Sequence, residues 1–280
     1  MRSIKCAVIC LILVSMGCFQ KRNHSIELMN RGVELARQKL YESAERELQQ
    51  ATQVDPSNHR AWFNLGKIYQ DQKKWEEAAK AFDEAVKQAG ENPLYHYELG
   101  NAYQELQRLD AARVAYESCV KLDSKLYKCH YRLGTVLEAA DQLKEADAEY
   151  RQAIMANPRF VSPYLRLGYM YGDHDFDKEA VQVFQNAVLA NDSDGEAHLG
   201  LGLALQKTKQ YDEAIREFKA ALDRNGELFI AVYNIGITYK LMDDKKNARE
   251  WLQRFIAGGG KGGADLVKAA QDAVYQLDAP

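Results

Sequence analysis

The sequence predicts an all-α fold of seven stacked helix pairs, each 34 residues long, with one further helix capping the carboxyl end. Three ladders of residues recur at this interval over residues 25–262, without insertion or deletion. Glycine recurs at Gly32, Gly66, Gly100, Gly134, Gly168, Gly202 and Gly236. Alanine recurs at Ala44, Ala78, Ala112, Ala146, Ala180, Ala214 and Ala248. A large residue recurs at Leu48, Phe82, Tyr116, Tyr150, Phe184, Phe218 and Leu252. A period of this length indicates a supersecondary unit that buries its core by stacking on its neighbours.

The residue types fit two helices in each repeat, an A helix followed by a B helix. Glycine inside a helix costs about 1 kcal/mol relative to alanine, so seven glycines at a constant spacing indicate close contact between the A and B helices. The alanine allows the same approach from the B helix, and the large residue fills the space between the helices. Turn residues separate the pairs: Asp55-Pro56 and Asn157-Pro158 follow B helices, and Pro93 lies in the first turn of an A helix.

The segment 263–280 is predicted to form the capping helix and a short tail. One face of a helix over residues 264–278 carries Leu266, Ala270, Ala273, Val274 and Leu277. The glycine-rich segment 258–263 before it does not fit a phosphate-binding loop, because no strand precedes it and no Ser or Thr follows its lysine. We interpret it as a flexible turn that ends a helix.

The second repeat resembles the tetratricopeptide pattern almost completely, through Trp62, Leu65, Gly66, Tyr69, Ala78, Phe82 and Ala85. This resemblance implies a right-handed superhelix. It also implies that the A helices line a concave groove in which peptides or partner helices lie.

The amino-terminal residues 1–17 have the pattern of a signal peptide rather than of the repeats. Arg2 and Lys5 precede an apolar run over residues 6–16, which spans only about 16 Å as a helix, too short to cross a bilayer. The run Ser15-Met16-Gly17-Cys18 resembles the lipobox of bacterial lipoproteins, although Ser15 stands where Leu is usual. The resemblance implies cleavage before Cys18 and acylation of Cys18, for example with palmitate. An ordinary signal peptide with an incidental cysteine is the alternative.

The predicted anchor places the protein at a membrane. Phe19 rather than Asp follows the cysteine, which by resemblance implies a lipid-anchored protein on the periplasmic face of the bacterial outer membrane. Residues 18–24 then form the acylated cysteine and a short tether to the first repeat, so the repeats are expected to work close to the membrane.

Composition and motifs argue against several classes of function. Lys and Arg number 37 against 40 Asp and Glu, and this formal charge of -3 offers no basic excess for binding nucleic acid. The six histidines are scattered, and three of them occupy the repeat position of Trp62, which indicates packing rather than a metal site. No catalytic motif remains once the repeats are assigned. We therefore expect no enzyme activity, cofactor, metal or small-molecule substrate.

Two cysteines, Cys119 and Cys129, stand ten residues apart, near the end of one B helix and the start of the next A helix. They could form a disulfide in the oxidising periplasm. They could equally be two buried thiols, because alanine holds the position of Cys119 in other repeats.

The fifth position of each A helix usually faces the groove in this family. It is occupied by Met29, Phe63, Tyr97, Tyr131, Leu165, Leu199 and Tyr233. We select Phe63, Tyr97, Tyr131, Leu165 and Tyr233 as partner-binding candidates, although such side chains can also pack between helices. Arg132 and Arg166 follow them at the sixth position. These two arginines could receive a carboxylate from a partner or pair internally with Glu98 and Asp173.

A lipoprotein built of tetratricopeptide repeats resembles the pilotins of type IV pilus systems, which bind secretin subunits and assist their assembly in the outer membrane. The leading hypothesis is therefore a scaffold that holds a secretin segment. An adaptor that docks peptidoglycan enzymes and a structural subunit of an envelope complex are the alternatives, since the repeat fold alone does not specify a partner.

Overall fold

The computed structural model describes residues 2–258 and 263–278, with side chains described for residues 18–258 and 263–277. Every regular element in this part of the chain is a helix. The helices are α1 (Arg2–Arg37), α2 (Tyr41–Val54), α3 (His59–Asp71), α4 (Trp75–Gln88), α5 (Pro93–Glu105), α6 (Leu109–Leu122), α7 (Tyr127–Ala139), α8 (Leu143–Ala156), α9 (Val161–Asp173), α10 (Asp177–Ala190), α11 (Gly195–Lys207), α12 (Tyr211–Arg224), α13 (Phe229–Leu241), α14 (Lys245–Ala257) and α15 (Ala264–Asp278). The predicted all-α fold of seven helix pairs and one capping helix is confirmed.

The helix boundaries follow the turn residues of the sequence. Pro93 occupies the first turn of α5, where its missing N–H costs nothing, and the Asn92 side chain accepts a hydrogen bond from the Leu94 N–H. α2 ends at Val54, directly before Asp55-Pro56, and α8 ends at Ala156, directly before Asn157-Pro158. Each A helix from α3 to α13 therefore begins at the first residue of its 34-residue repeat.

The chain divides into two compact units, an amino-terminal unit of residues 1–149 and a carboxyl-terminal unit of residues 150–280. In the amino-terminal unit, α1 packs on α2 and α3, and α4 and α6 each pack on the A helices beside them. In the carboxyl-terminal unit, α11 contacts α9, α10, α12 and α13. Each unit thus buries its core by stacking successive helix pairs.

The glycine ladder lies where A and B helices approach most closely. A Cβ added to Gly66 would lie 2.6 Å from the Phe82 ring, and one added to Gly100 would lie 2.6 Å from the Tyr116 ring. Gly168 stands in the same relation to Phe184. The large residue sixteen positions later therefore occupies the space that each glycine leaves free, as the ladders predict.

The turn between A and B helices has the same backbone conformation in all seven repeats. Its left-handed residues, with φ between 57° and 64°, are Lys39, Lys73, Gln107, Asp141, Asp175, Lys209 and Asp243. In the first turn, the Lys39 N–H bonds the Ala36 carbonyl and the Leu40 N–H bonds the Leu35 carbonyl, which is the Schellman pattern of a helix end. Glycine is the usual residue in this conformation, and none of the seven turns uses it.

The carboxyl-terminal helix α15 covers the last pair. Ala270, Ala273 and Leu277 are buried, and Leu266 and Val274 pack at the edge of the same cluster with residues of α13 and α14. This is the face predicted from the sequence. Residues 259–262 of the segment predicted to be a flexible turn, 258–263, lie outside the described residues.

The predicted signal peptide, residues 1–17, lies outside the described side chains, and its backbone from Arg2 onwards belongs to α1. Residues 18–24, predicted to be a tether, are helical here and continue directly into the first repeat. Cys18 is exposed on this helix with a free thiol. Among the described residues, none of the helices is both long and apolar enough to cross a bilayer.

Candidate functional site

The apolar and aromatic candidates lie at the fifth position of their A helices and are only partly buried. These half-buried residues are Phe63 on α3, Tyr97 on α5, Tyr131 on α7, Leu165 on α9 and Tyr233 on α13. Met29 and Leu199, which hold the same position in the first and sixth repeats, are 4% and 5% exposed. The A helices of each unit therefore present a series of apolar side chains that the core does not fully cover.

Several of these rings also pack within the fold. Phe63 stacks on Tyr95 with a centroid distance of 4.8 Å and contacts Phe82 at 5.7 Å. The ring of Tyr97 lies 6.2 Å from that of Tyr116. Aromatic contacts of this kind hold the rings in place, so the exposed edges belong to pre-organised side chains.

In the carboxyl-terminal unit, Tyr233 packs on Phe255 at a centroid distance of 5.4 Å. Leu165 lies at the edge of the cluster that contains Phe184. These two candidates thus share their surface between the core and solvent, as the candidates of the amino-terminal unit do.

Arg132 on α7 is surrounded by phenols. Its guanidinium lies 6.0 Å from the centre of the Tyr131 ring and shares a hydrogen bond with Tyr97. Burial lowers the pKa of Arg132, but this hydrogen bond and the neighbouring Tyr116 and Tyr97 outweigh it, so that the pKa is raised. No carboxylate in the described part of this unit forms an ion pair with Arg132, which leaves a permanently charged, half-buried group without an anion.

The predicted internal pair of Arg132 with Glu98 is wrong, because Glu98 is held elsewhere. Lys67 Nζ lies 3.1 Å from Glu98 Oε1, and Asn101 donates to Glu98 Oε2 at 3.2 Å. Glu98 is 8% exposed, so this lysine compensates the burial of its charge. The neighbouring Gln70 donates to the same carboxylate at 3.4 Å.

A polar network continues from this pair along the A helices of the amino-terminal unit. The Tyr116 hydroxyl lies 2.8 Å from Asn101 Oδ1 and 3.0 Å from Gln104 Oε1. Thr135 Oγ1 lies 3.5 Å from Gln104 Nε2 and donates to the Arg132 carbonyl at 2.7 Å. The surface beside the aromatic candidates of this unit is therefore polar and internally hydrogen-bonded.

The corresponding surface of the carboxyl-terminal unit is apolar. The ninth position of the A helices, which holds Lys67, Asn101 and Thr135 in the second to fourth repeats, holds Tyr169, Leu203 and Ile237 in the last three. The Tyr169 ring meets Phe184 edge-on at 5.1 Å. Sequence reasoning missed these three residues because it followed only the fifth and sixth positions. The signal was present, since the ninth position lies one helical turn after the fifth, on the same face.

Arg166, the other arginine candidate, lies on α9 and is exposed. Its equivalent in the next repeat is Gly200, whose missing side chain leaves room for the Phe184 ring. The sixth position therefore changes from a half-buried charge at Arg132 to a close helix contact at Gly200.

The candidate cysteines lie at the joint between α6 and α7. Cys119 and Cys129 are joined by a disulfide in the structure, with Cα atoms 6.1 Å apart, within the usual range for such bonds. Both residues are fully buried. The bond fixes the end of α6 to the start of α7, three residues before Arg132.

A histidine closes the same joint. His130 Nδ1 lies 2.6 Å from Glu149 Oε2, and His130 Nε2 lies 3.0 Å from the Ser124 carbonyl. Both ring nitrogens face acceptors, an arrangement that only the protonated ring satisfies. Burial lowers the pKa of His130, but the bonds to Glu149 and Ser124 outweigh it and leave the pKa above its ordinary value.

These features define an all-helical repeat scaffold for protein–protein interaction. The chain belongs to the tetratricopeptide repeat family: one family model, described as tetratricopeptide repeat, matches residues 29–93, 65–127 and 165–229, and a second with the same description matches residues 127–160. Members of this family generally act as interaction scaffolds rather than as enzymes. No curated protein matches the sequence.

Solved structures show the same architecture. YrrB, described as a TPR protein with an unusual peptide-binding site, is 26% identical with a TM-score of 0.58, over 69% of this chain and 99% of YrrB. MamA is 24% identical with a TM-score of 0.56, over 57% of this chain and 94% of MamA. A tetratricopeptide repeat protein from Parabacteroides merdae is 15% identical with a TM-score of 0.63, over 92% of this chain and 100% of that protein. The last two likenesses concern the fold alone.

Proposed function

We propose that this protein is a lipid-anchored envelope scaffold whose A helices bind a segment of a partner protein. The observation that carries the proposal is the half-buried Arg132, held by Tyr97 and Tyr131 beside the exposed edges of the aromatic series, with no carboxylate of its own unit. A partner carboxylate would form an ion pair with this cation, and apolar partner side chains would cover the rings beside it. The peptide-binding site named for YrrB supports the same use of the repeats.

The proposed anchor is an acyl group on Cys18. The support is the lipobox-like sequence before it, together with the exposed position of its thiol on α1. A Cys18→Ser variant should lose incorporation of labelled palmitate and leave the outer-membrane fraction. Unchanged labelling and fractionation of this variant would contradict the anchor and leave the scaffold proposal standing.

The proposed partner is a secretin subunit of a type IV pilus system. The proposal rests on the combination of a lipoprotein-like start with seven tetratricopeptide repeats, which resembles the pilotins. In a strain without this protein, heat-resistant secretin multimers and surface pili should be lost. Multimers and pili at their normal level would contradict the secretin assignment.

An in-cell crosslink tests the binding surface directly. A photoreactive residue replaces Tyr131, and captured proteins are identified by mass spectrometry of the outer-membrane fraction. The matched control replaces Val114, which is 61% exposed on the B helix α6 of the same unit. Capture of a secretin only from position 131 supports the proposal, whereas capture of a cell-wall enzyme would identify an adaptor instead. Capture only from position 114 would show that the partner does not bind the A helices.

A further inference from the structure

The carboxyl-terminal unit carries a second surface, of which the candidates Leu165 and Tyr233 form only a part. Leu165 and Tyr169 lie one turn apart on α9, and Tyr233 and Ile237 lie one turn apart on α13, so each pair shares a helix face. α11 lies against both helices and contributes Leu203 at the same position as Tyr169 and Ile237. We name these five side chains, Leu165, Tyr169, Leu203, Tyr233 and Ile237, the apolar strip.

The apolar strip is accessible and held in place by the core. None of its five residues is fully buried, and Tyr169 is 36% exposed although its ring contacts Phe184. Gly172 lies one turn beyond Tyr169, and apart from its chain neighbours and the nearby backbone of α9, a Cβ placed on it would meet no described atom within 4 Å. The strip therefore borders open space on the side of Gly172.

The charges around the strip are uneven. Asp194 accepts hydrogen bonds from the backbone N–H groups of Glu196 and Ala197 at the start of α11. Within the described part of the chain, neither the Asp194 nor the Glu196 carboxylate forms an ion pair with a basic side chain. Burial and then Asp194 raise the pKa of Glu196.

The two carboxylates act on Tyr169 as well. Burial, then Glu196 and Asp194, raise the pKa of Tyr169 to about 12. Near the far end of α11, Lys207 is already engaged by the Gly172 carbonyl and lies 3.6 Å from Asp177 Oδ1. At the start of α11 the helix N-terminus stabilises Asp194, but the two carboxylates have no basic partner among the described residues. Lys207, at the far end of α11, has an acidic partner in Asp177.

We propose that the apolar strip is a docking site for an apolar segment of a partner protein, with a lysine or arginine of that segment beside Asp194 and Glu196. The proposal rests on the scaffold function proposed above and adds the chemistry of the partner. An apolar face supplies the burial, and a basic residue supplies the charge that the strip lacks.

The test uses two synthetic amphipathic peptides of 18 residues, one of leucine and lysine and one of leucine and glutamate, with binding to the purified full chain measured by fluorescence anisotropy. The leucine–lysine peptide should bind more tightly. Tyr169→Asn, which places in the fifth repeat the residue type that the third repeat carries as Asn101, should weaken this binding by about ten-fold, as expected for loss of an interface anchor.

Matched variants separate the strip from other effects. Tyr169→Phe keeps the ring and should bind as the parent does, whereas Glu196→Gln should weaken binding by about three-fold, a typical loss for one charge at the rim of an interface. Lys67→Gln, at the ninth position of the second repeat, should leave binding unchanged. Thermal melting followed by circular dichroism verifies that each variant folds.

Equal affinity of the two peptides, an unaffected Tyr169→Asn variant, or an equal loss in Lys67→Gln would overturn the proposal. Failure of both peptides to bind, with a partner still captured from position 131, would reject the strip and retain the scaffold. Loss of capture at position 131 with peptide binding intact would reject the proposed use of the amino-terminal unit instead.

Discussion

Tyr116 and Phe184 occupy the same position in the third and fifth helix pairs, but their surroundings have opposite chemistry. The Tyr116 hydroxyl lies in a polar network with Asn101 and Gln104, beside Arg132. The residues equivalent to these three around Phe184 are Tyr169, Gly172 and Gly200. Two amides and a cation around the ring of the third repeat thus correspond to an aromatic ring and two glycines around the ring of the fifth.

This comparison separates the packing that both repeats share from the side chains that differ between them. Both pairs keep the ladder glycine, Gly100 or Gly168, against the ladder ring at the same close distance. What differs is the surroundings of that ring. Asn101 and Gln104 contact the Tyr116 hydroxyl, whereas the Tyr169 ring and the backbone at Gly200 pack against Phe184. A single fold therefore offers one polar and one apolar surface, which suit partner segments of different chemistry.

The comparison also extends to the joints between pairs. His198 repeats the arrangement of His130, since its Nδ1 lies 2.7 Å from Glu217 and its Nε2 lies 3.1 Å from the Asp192 carbonyl. In place of the two cysteines, this joint has Ala187 and Ala197, both fully buried. One joint thus has a covalent bond in addition to the histidine, and the other has the histidine alone.

The largest expected effect is that of Gly200→Arg, which places in the sixth repeat the residue type that the fourth repeat carries as Arg132. Its Cβ would lie far inside van der Waals contact with the Phe184 ring, and the charge would enter an apolar cluster. We expect a loss of at least about 3 kcal/mol of unfolding free energy, the upper range for overpacked cores. Urea unfolding and hydrogen exchange of α10 and α11 measure it. The reverse change, Arg132→Gly, should cost only about 1 kcal/mol, the price of a helical glycine, and equal losses would contradict the comparison.

The second largest effect on stability is expected from the double variant Cys119→Ala and Cys129→Ala, which gives this joint the two alanines of the joint at His198. Loss of a bond that closes a loop of ten residues should lower the unfolding free energy by about 2–3 kcal/mol. Denaturant unfolding of the oxidised chain, the reduced chain and the double variant measures it, and the last two should agree. Two free thiols at these positions in the denatured, non-reduced protein would show that the bond does not form.

A smaller loss of unfolding free energy is expected for Tyr116→Phe, which places in the third repeat the phenyl ring that the fifth repeat carries as Phe184. The hydroxyl contacts both Asn101 and Gln104, so its removal should cost about 1 kcal/mol, the usual net contribution of a buried hydrogen bond. Phe184→Tyr should bring no gain, because Tyr169 and Gly172 stand where the third repeat has the amides Asn101 and Gln104. Stabilisation by Phe184→Tyr would show that the apolar pair tolerates the polar network.

Sequence spacing predicted the helices closely, because Gly66, Ala78 and Phe82 report contacts inside one repeat. It did not predict the left-handed turn residues such as Lys39, since their conformation is imposed by the helix end and the usual glycine is absent. Contacts between side chains of different repeats were harder to predict. Arg132 has three phenols near it, Tyr97, Tyr116 and Tyr131. The Glu98 carboxylate is instead paired with Lys67, a residue from two repeats before Arg132. Competition of this kind between side chains cannot be predicted from the spacing of the repeats.

The smallest effect is a pH dependence located at the joint of α6 and α7. Because the pKa of His130 is raised in the fold, its contribution to stability is complete below its unfolded value of about 6.5 and is lost as the pH rises through the folded value. The unfolding free energy should therefore decrease as the pH rises above about 6.5, and His130→Gln should reduce that decrease. His198→Gln is the matched control at the joint without a disulfide and should leave the contribution of His130 intact. An unchanged pH profile in His130→Gln would mean that the protonated ring does not stabilise this joint, and that the disulfide alone distinguishes it from the joint at His198.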